Sequence, residues 1–103
     1  MAQLLEFAAV ASATGPVACA FAAEPAGGCN MAAALGTATA AVVQLQARVG
    51  AEWFLADTLT LPDPDSGATA LQRAIYPPYK AVRWNVVSVT GGNINLNAIG
   101  VGV

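Results

Sequence analysis

The stretch Ala41-Val42-Val43-Gln44-Leu45-Gln46-Ala47-Arg48-Val49 carries the clearest secondary-structure pattern of this 103-residue chain. From Val43 onward, apolar side chains alternate with Gln44, Gln46 and Arg48. A period of two residues predicts a β-strand with one buried face and one face in water. The fold is therefore expected to contain a sheet with one side packed in the core and the other side exposed to solvent.

A second strand is predicted after Gly50, where Trp53, Leu55, Leu59 and Leu61 continue the alternation. Asp57 interrupts this apolar set, which predicts a bulge or a strand end that turns the carboxylate outward. The next segment, Pro62-Asp63-Pro64-Asp65-Ser66-Gly67, has turn-forming residues at every position and predicts a surface loop.

The C-terminal third predicts three more extended segments. Ala68 to Ile75 is expected to be a short strand, and Tyr76-Pro77-Pro78-Tyr79 an extended corner, because residues before proline avoid the helical region. The apolar runs Ala81 to Val89 and Ile94 to Ala98 flank Gly91-Gly92. Two such runs around a Gly-Gly centre predict a β-hairpin.

The N-terminal half has a weaker pattern. Leu4 to Val10 is compatible with a strand or a helical turn, Val17 to Ala23 predicts a strand, and Pro25 to Gly28 a turn. Met31 to Leu35 predicts a strand leading towards Ala41. A helix over 32–47 is the alternative, which β-branched Thr and Val disfavour. Seven to eight short strands predict an all-β, single-domain antiparallel β-sandwich, jelly-roll-like, spanning residues 1–103.

Composition excludes several functions. The chain is 56% hydrophobic and only 10% charged, and it has no histidine, four Lys and Arg, and six Asp and Glu. Without histidine there is no His-based nucleophilic pair and no His metal ligand, and we expect no enzyme activity and no cofactor. Four scattered cations at net charge −2 do not suit nucleic-acid binding. So little charge on a small domain predicts a permanent oligomer or an assembly component.

No membrane-spanning segment is expected, because Gly, Pro and polar residues cut every apolar run short of about 18 residues. Residues 1–10 contain Glu6 and lack the basic start of a signal peptide, so synthesis in a cytoplasm is expected. Cys19 and Cys29 flank the predicted turn and would face one another in a hairpin. In a reducing cytoplasm, two buried thiols are favoured over a disulfide.

Asp57, Asp63 and Asp65 form an acidic cluster in the sequence with a faint likeness to a calcium loop. The run lacks the alternating ligands and the bidentate Glu of such a loop, so a solvated turn is favoured and no metal site is predicted. Trp53 and Trp84 lie on apolar alternating strands, where core packing is favoured over a sugar-stacking platform.

Two sets of residues are interface candidates. Tyr76 and Tyr79, beside two prolines, are expected to be exposed, and tyrosine is enriched at protein interfaces. Asn93, Asn95 and Asn97 alternate with apolar residues and place three amides on one strand face. Such a face either lies in water or pairs with its own copy, since each amide both donates and accepts hydrogen bonds.

From about Gly28 onward, the order of features resembles a family of small β-sandwich proteins on the virions of tailed bacteriophages. The matching stretches are Gly36-Thr37-Ala38-Thr39-Ala40-Ala41-Val42-Val43-Gln44-Leu45-Gln46, Glu52-Trp53-Phe54-Leu55-Ala56-Asp57, and Tyr79-Lys80-Ala81-Val82-Arg83-Trp84-Asn85-Val86 through Gly91-Gly92. The chain departs from the family at Val49-Gly50-Ala51-Glu52, where an Asp-Gly turn often precedes the tryptophan.

This resemblance implies a structural role with no catalytic residues. It implies a capsid decoration (cement) protein that binds the major capsid protein as a homotrimer on the capsid surface and bridges coat subunits. Residues 1–27 would then be an arm or an edge segment. A receptor- or glycan-binding head-fibre or tail module, and a tail or connector subunit, are the alternatives. The first residues to test as contacts are Tyr76, Tyr79, Lys80, Arg83, Asn93, Asn95 and Asn97.

Overall fold

A computed structural model describes residues 3–18, 25–76 and 79–102 of the chain. The regular elements within these ranges are eight β-strands: β1 (Gln3–Ala11), β2 (Gly15–Ala18), β3 (Pro25–Leu35), β4 (Ala40–Val49), β5 (Glu52–Leu61), β6 (Ala70–Ile75), β7 (Ala81–Thr90) and β8 (Ile94–Gly102). The prediction for 41–49 is confirmed by β4. The alternative helix over 32–47 is wrong, because β3 and β4 occupy most of that range.

The strands form two four-stranded antiparallel sheets. Sheet I has the order β1-β8-β3-β6, and sheet II has the order β2-β7-β4-β5. Of these pairs only β4 and β5 are consecutive in the chain, and the two-residue turn Gly50-Ala51 joins them. Eight strands arranged in this way form a jelly roll, so the predicted antiparallel β-sandwich is confirmed.

The core lies between the two sheets. Sheet I contributes Met31 and Leu96, and sheet II contributes Val43, Leu45 and Trp84, all of them fully buried. The predicted core position of Trp84 is confirmed. At the open side between β5 and β6, Arg73 Nε lies 3.1 Å from Asp57 Oδ2, and this ion pair links the two sheets.

The predicted hairpin around Gly91-Gly92 is wrong. β7 pairs with β2 and β4 in sheet II, whereas β8 pairs with β1 and β3 in sheet I. The two glycines, with φ of 83° and 154°, turn the chain from one sheet to the other. A hairpin within one sheet and a turn between two sheets both need an apolar run on each side, because both strands bury one face against the same core.

The predicted core position of Trp53 is also wrong, and a β-bulge is the reason. Leu45 pairs with Asp57, but the next residue, Gln46, pairs with Leu55, so β5 carries one extra residue. One extra residue reverses which side chains face the core. Leu59 is therefore buried, whereas Trp53 lies on the outer side of sheet II opposite Arg48. The bulge predicted at Asp57 is confirmed, but the predicted outward turn of the carboxylate is wrong: Asp57 pairs with the buried Leu45 and stays on the core-facing side of β5.

Residues 25–28 form the start of β3 instead of the predicted turn. The register of β3 against β8 shifts between Pro25 and Cys29, and Gly28 has a φ of 101° within this irregularity. β2 and β3 lie in different sheets, so they do not form the hairpin in which Cys19 would face Cys29. Cys29 is buried, and Cys19 lies outside the described residues. In the N-terminal segment 1–27, residues 3–18 supply β1 and β2, each at the edge of its sheet.

Candidate interaction surfaces

Asn95 and Asn97 lie exposed on the outer side of sheet I, because the alternate residues of β8 are buried in the core. Asn93 belongs to the turn before β8. Its backbone N–H donates to Thr37 Oγ1 at 2.9 Å, and its carbonyl accepts from the Ala38 N–H at 3.1 Å. The three amides therefore differ: two share a strand face, and one is part of a loop that connects to the segment before β4.

The outer side of sheet I is almost without charge. The strand registers align its outward residues in three rows across the four strands: Val10, Asn95, Ala34 and Ala70; Ala8, Asn97, Ala32 and Gln72; Glu6, Ile99, Asn30 and Ala74. We call these residues the neutral face. Val10 is 66% exposed and Ile99 48% exposed, and Glu6 is the single charged residue in the three rows. Covering such a surface desolvates only one charge, and its amide side chains need hydrogen-bond partners in the covering surface.

Tyr76 and Tyr79 line a groove at one end of the sandwich. The groove has a volume of about 390 Å³, and Val49, Phe54 and Leu55 also line it. The predicted exposure of Tyr76 is confirmed at 79%, whereas the predicted exposure of Tyr79 is wrong, because Tyr79 packs partly against the core. The Tyr79 hydroxyl oxygen is buried without a hydrogen-bond partner among the described residues, and burial raises the pKa of this group to about 12.

Lys80 and Arg83 lie on the β7 side of sheet II. The Arg83 Nε donates to Gln46 Oε1 at 2.7 Å, and the Arg83 guanidinium carbon lies 4.3 Å from the centre of the Trp53 ring. Arg48 approaches the same ring at 5.9 Å, and the Lys80 N–H donates to the Arg48 carbonyl at 2.8 Å. These residues, Arg48, Trp53, Lys80 and Arg83, are the basic cluster.

The acidic positions do not form one site. Asp57 pairs with Arg73, as described above, whereas Asp63 organises the loop after β5. The Ser66 hydroxyl donates to Asp63 Oδ2 at 2.6 Å, and the Ser66 N–H donates to the same oxygen at 3.3 Å. The hydrogen bond from the Ser66 side chain is the largest cause that lowers the Asp63 pKa. The carboxylate acts here as an acceptor within its own turn.

The seven residues predicted as contacts thus occupy three places: the neutral face with the adjoining turn, the groove, and the basic cluster. The residue that the sequence did not identify as part of a surface is Arg48, which lies beside Trp53. The alternation in 41–49 correctly predicted that Arg48 lies on the side of β4 that faces away from the core. Its contact with Trp53 depends on the bulge in β5 and was therefore not visible in the sequence.

In the described ranges, no group of three or more Cys, Asp, Glu or His side chains is arranged to hold a metal ion. The same part of the chain has no helix of the length and apolarity needed to cross a membrane.

No protein-family model and no curated protein sequence matches the chain. Among solved structures, it is similar to that of YomS, a protein derived from the SPBc2 prophage. The similarity covers 99% of this chain and 96% of YomS, with a TM-score of 0.66 and 17% sequence identity. At this identity the similarity establishes a shared fold over the whole length of both chains.

Proposed function

We propose that this chain is a non-enzymatic structural protein of a bacteriophage virion: a capsid decoration protein that forms a homotrimer and bridges subunits of the major capsid protein on the capsid surface. The observation that carries the proposal is the neutral face, with its single charged residue, Glu6. A phage origin is supported by the resemblance in the order of sequence features and by the fold shared with a prophage-derived protein.

The size of the neutral face favours attachment through several copies. Four strands about 4.8 Å apart, with three outward residues about 6.8 Å apart on each, span roughly 400 Å². A standard interface buries about 800 Å² on each partner. One face alone therefore supplies about half of what stable binding needs, and a trimer that engages three sites at once compensates through a high effective concentration.

The edge of sheet I offers a second kind of contact. β1 forms that edge, and its nine residues pair with β8 in unbroken register on one side. Natural edge strands are commonly protected from pairing by lysine, proline or a bulge. The segment Gln3-Leu4-Leu5-Glu6-Phe7-Ala8-Ala9-Val10-Ala11 contains no lysine or proline, and its pairing with β8 contains no bulge. Strand pairing between neighbouring copies would use this edge.

The test combines sizing with co-sedimentation. The purified protein is expected to elute as a trimer and to pellet with empty capsids assembled from the major capsid protein of the phage that encodes it. Asn97→Arg places a cation in the middle of the neutral face, and Thr60→Arg places the same charge on the exposed outer side of β5. Asn97→Arg is expected to abolish pelleting or trimer formation, whereas Thr60→Arg retains both. A wild-type monomer that stays in the supernatant would rule out the decoration role.

A glycan-binding module is the second candidate, because the groove between β5 and β6 places Phe54, Tyr76 and Tyr79 together. Aromatic rings of this kind stack on sugars. Titration with saccharides is expected to perturb the exposed tyrosines, and Tyr76→Ala is the variant that removes the response. No response to any saccharide, together with pelleting on capsids, leaves the decoration role. Pelleting with tails instead of capsids would indicate a tail or connector subunit.

A further inference from the structure

Two of the four cations of the chain, Arg48 and Arg83, lie together against Trp53, although the net charge of the protein is −2. Arg48 and Arg83 both contact Trp53, and the Lys80 backbone bonds to that of Arg48. The fourth cation, Arg73, is paired with Asp57, and theirs is the one ion pair among the described residues. The positive charge of the basic cluster thus has no carboxylate partner in the described part of the chain.

The two guanidinium groups are held in position by neighbours that leave hydrogen-bond donors unused. Arg83 uses its Nε to bond Gln46, and the adjacent Gln44 Oε1 accepts from Asn85 Nδ2 at 2.9 Å, so cross-strand amides fix this part of the sheet. The Arg48 Nε is buried and has no partner among the described residues. A bound carboxylate cannot reach this buried nitrogen, so the donors available to one are the terminal nitrogens of the two guanidinium groups.

We propose that the basic cluster is a docking surface for a carboxylate-rich segment of a protein partner. Arginine matches carboxylates with a rigid two-pronged donor geometry, and Trp and Arg are the residues most enriched where binding energy concentrates at protein interfaces. The partner's Asp or Glu side chains would bind the terminal nitrogens of Arg83 and Arg48. This inference deepens the proposed function, because it assigns an acidic segment of the coat subunit to this surface.

The geometry favours a protein segment over an acidic glycan. A sugar ring binds tryptophan by covering its face, and the Arg83 guanidinium at 4.3 Å already covers the Trp53 ring. The basic cluster lies on the outer side of sheet II, where β4 pairs with β7 on one side and with β5 on the other. It does not lie in the groove. The outer side of a sheet, with hydrogen-bond donors in fixed positions, suits an extended peptide better than a sugar ring.

The test measures binding of a fluorescein-labelled hexa-aspartate peptide by anisotropy, with a hexa-asparagine peptide and polygalacturonate as further probes. Wild-type protein is expected to bind the aspartate peptide saturably, and to bind it more weakly as NaCl rises from 0.05 to 0.5 M, since salt screens such contacts. Arg48→Gln and Arg83→Gln are each expected to weaken binding about tenfold or more. Arg73→Gln, which removes the same charge outside the cluster, leaves affinity unchanged.

Thermal unfolding of each variant checks that it is folded, so that weaker binding of Arg48→Gln or Arg83→Gln reports the lost guanidinium and not a loss of structure. Absence of saturable binding of hexa-aspartate to the wild type overturns the inference, as does equal loss in Arg73→Gln. Binding of polygalacturonate without hexa-aspartate overturns it in favour of a glycan site. If the wild-type protein pellets with capsids and the variants Arg48→Gln and Arg83→Gln pellet equally well, the inference is overturned and the proposed function stands. If hexa-aspartate binding requires the basic cluster but the protein does not pellet with capsids, the inference is supported and the proposed function is overturned.

Discussion

Replacement of Gly92 by alanine tests how the two sheets are joined between β7 and β8. An alanine Cβ at this position would clash with Thr37 Oγ1 and lie 2.7 and 2.8 Å from the carbonyl carbon and oxygen of Thr37. Gly92 also has a φ of 154°, which L-residues rarely adopt. Because two of the clashing atoms are backbone, a rotation of the Thr37 side chain cannot relieve the contact.

The magnitude follows from two losses. Holding a non-glycine residue in such a backbone conformation costs about 1 to 3 kcal/mol. Displacing Thr37 also weakens the hydrogen bond that its Oγ1 accepts from the Asn93 N–H, which contributes about 0.5 to 1.5 kcal/mol. Gly92→Ala is therefore expected to lower the free energy of unfolding by about 2 to 4 kcal/mol, and the Tm by roughly 10 to 30 °C.

Gly67→Ala is the matched control. Gly67 has a φ of 72°, and no atom lies within 4 Å of the position of an added Cβ. This variant carries a backbone cost of about 1 to 2 kcal/mol, partly offset by the smaller entropy of the unfolded chain, and no steric clash. Urea unfolding followed by circular dichroism gives both values. If Gly92→Ala costs no more than Gly67→Ala, the close approach of the turn to Thr37 is not present in solution.

Three further outcomes are expected. Leu96 is fully buried in sheet I, so Leu96→Ala is expected to lower the free energy of unfolding by about 2 to 5 kcal/mol in urea; a loss below 1 kcal/mol would contradict the core assignment. Asp57→Asn and Arg73→Gln in a double-mutant cycle are expected to show a coupling of about 0.2 to 1 kcal/mol that disappears in 1 M NaCl, because both partners are well exposed. Burial raises the Cys29 pKa from 9.0 to about 11, so the unfolded state releases this proton first and stability is expected to fall as pH rises from 9 to 11. In a Cys19→Ser background, Cys29→Ala is expected to reduce that fall, and an unchanged pH profile would contradict the burial of the thiol.

Local patterns in the sequence identified several of the strands and the main loop. The alternation in 41–49 predicted β4, and the turn-forming run 62–67 lies between β5 and β6. The charge interrupting the apolar set at Asp57 predicted the bulge in β5. Each of these features is local, because side-chain direction in a strand and backbone preference in a turn depend on adjacent residues.

The candidate surfaces were only partly predictable. The exposure of Asn95 and Asn97 follows from their alternation with buried residues of β8. The neutral face as a whole depends on four strands that are distant in the sequence, and its absence of charge becomes apparent only when their registers are known. The basic cluster depends in the same way on the register between β4, β5 and β7.

The sequence by itself determined that the chain forms a two-sided β-structure with little charge, because alternation and composition act residue by residue. Only the tertiary structure decided which strands pair, that Gly91-Gly92 joins two sheets instead of closing a hairpin, and that Trp53 faces outward beside Arg48 and Arg83. The physical reason is that a strand buries the same apolar face against any suitable partner. The choice among partners is made by the packing of the whole core, and one extra residue in a strand is enough to reverse the direction of every side chain beyond it.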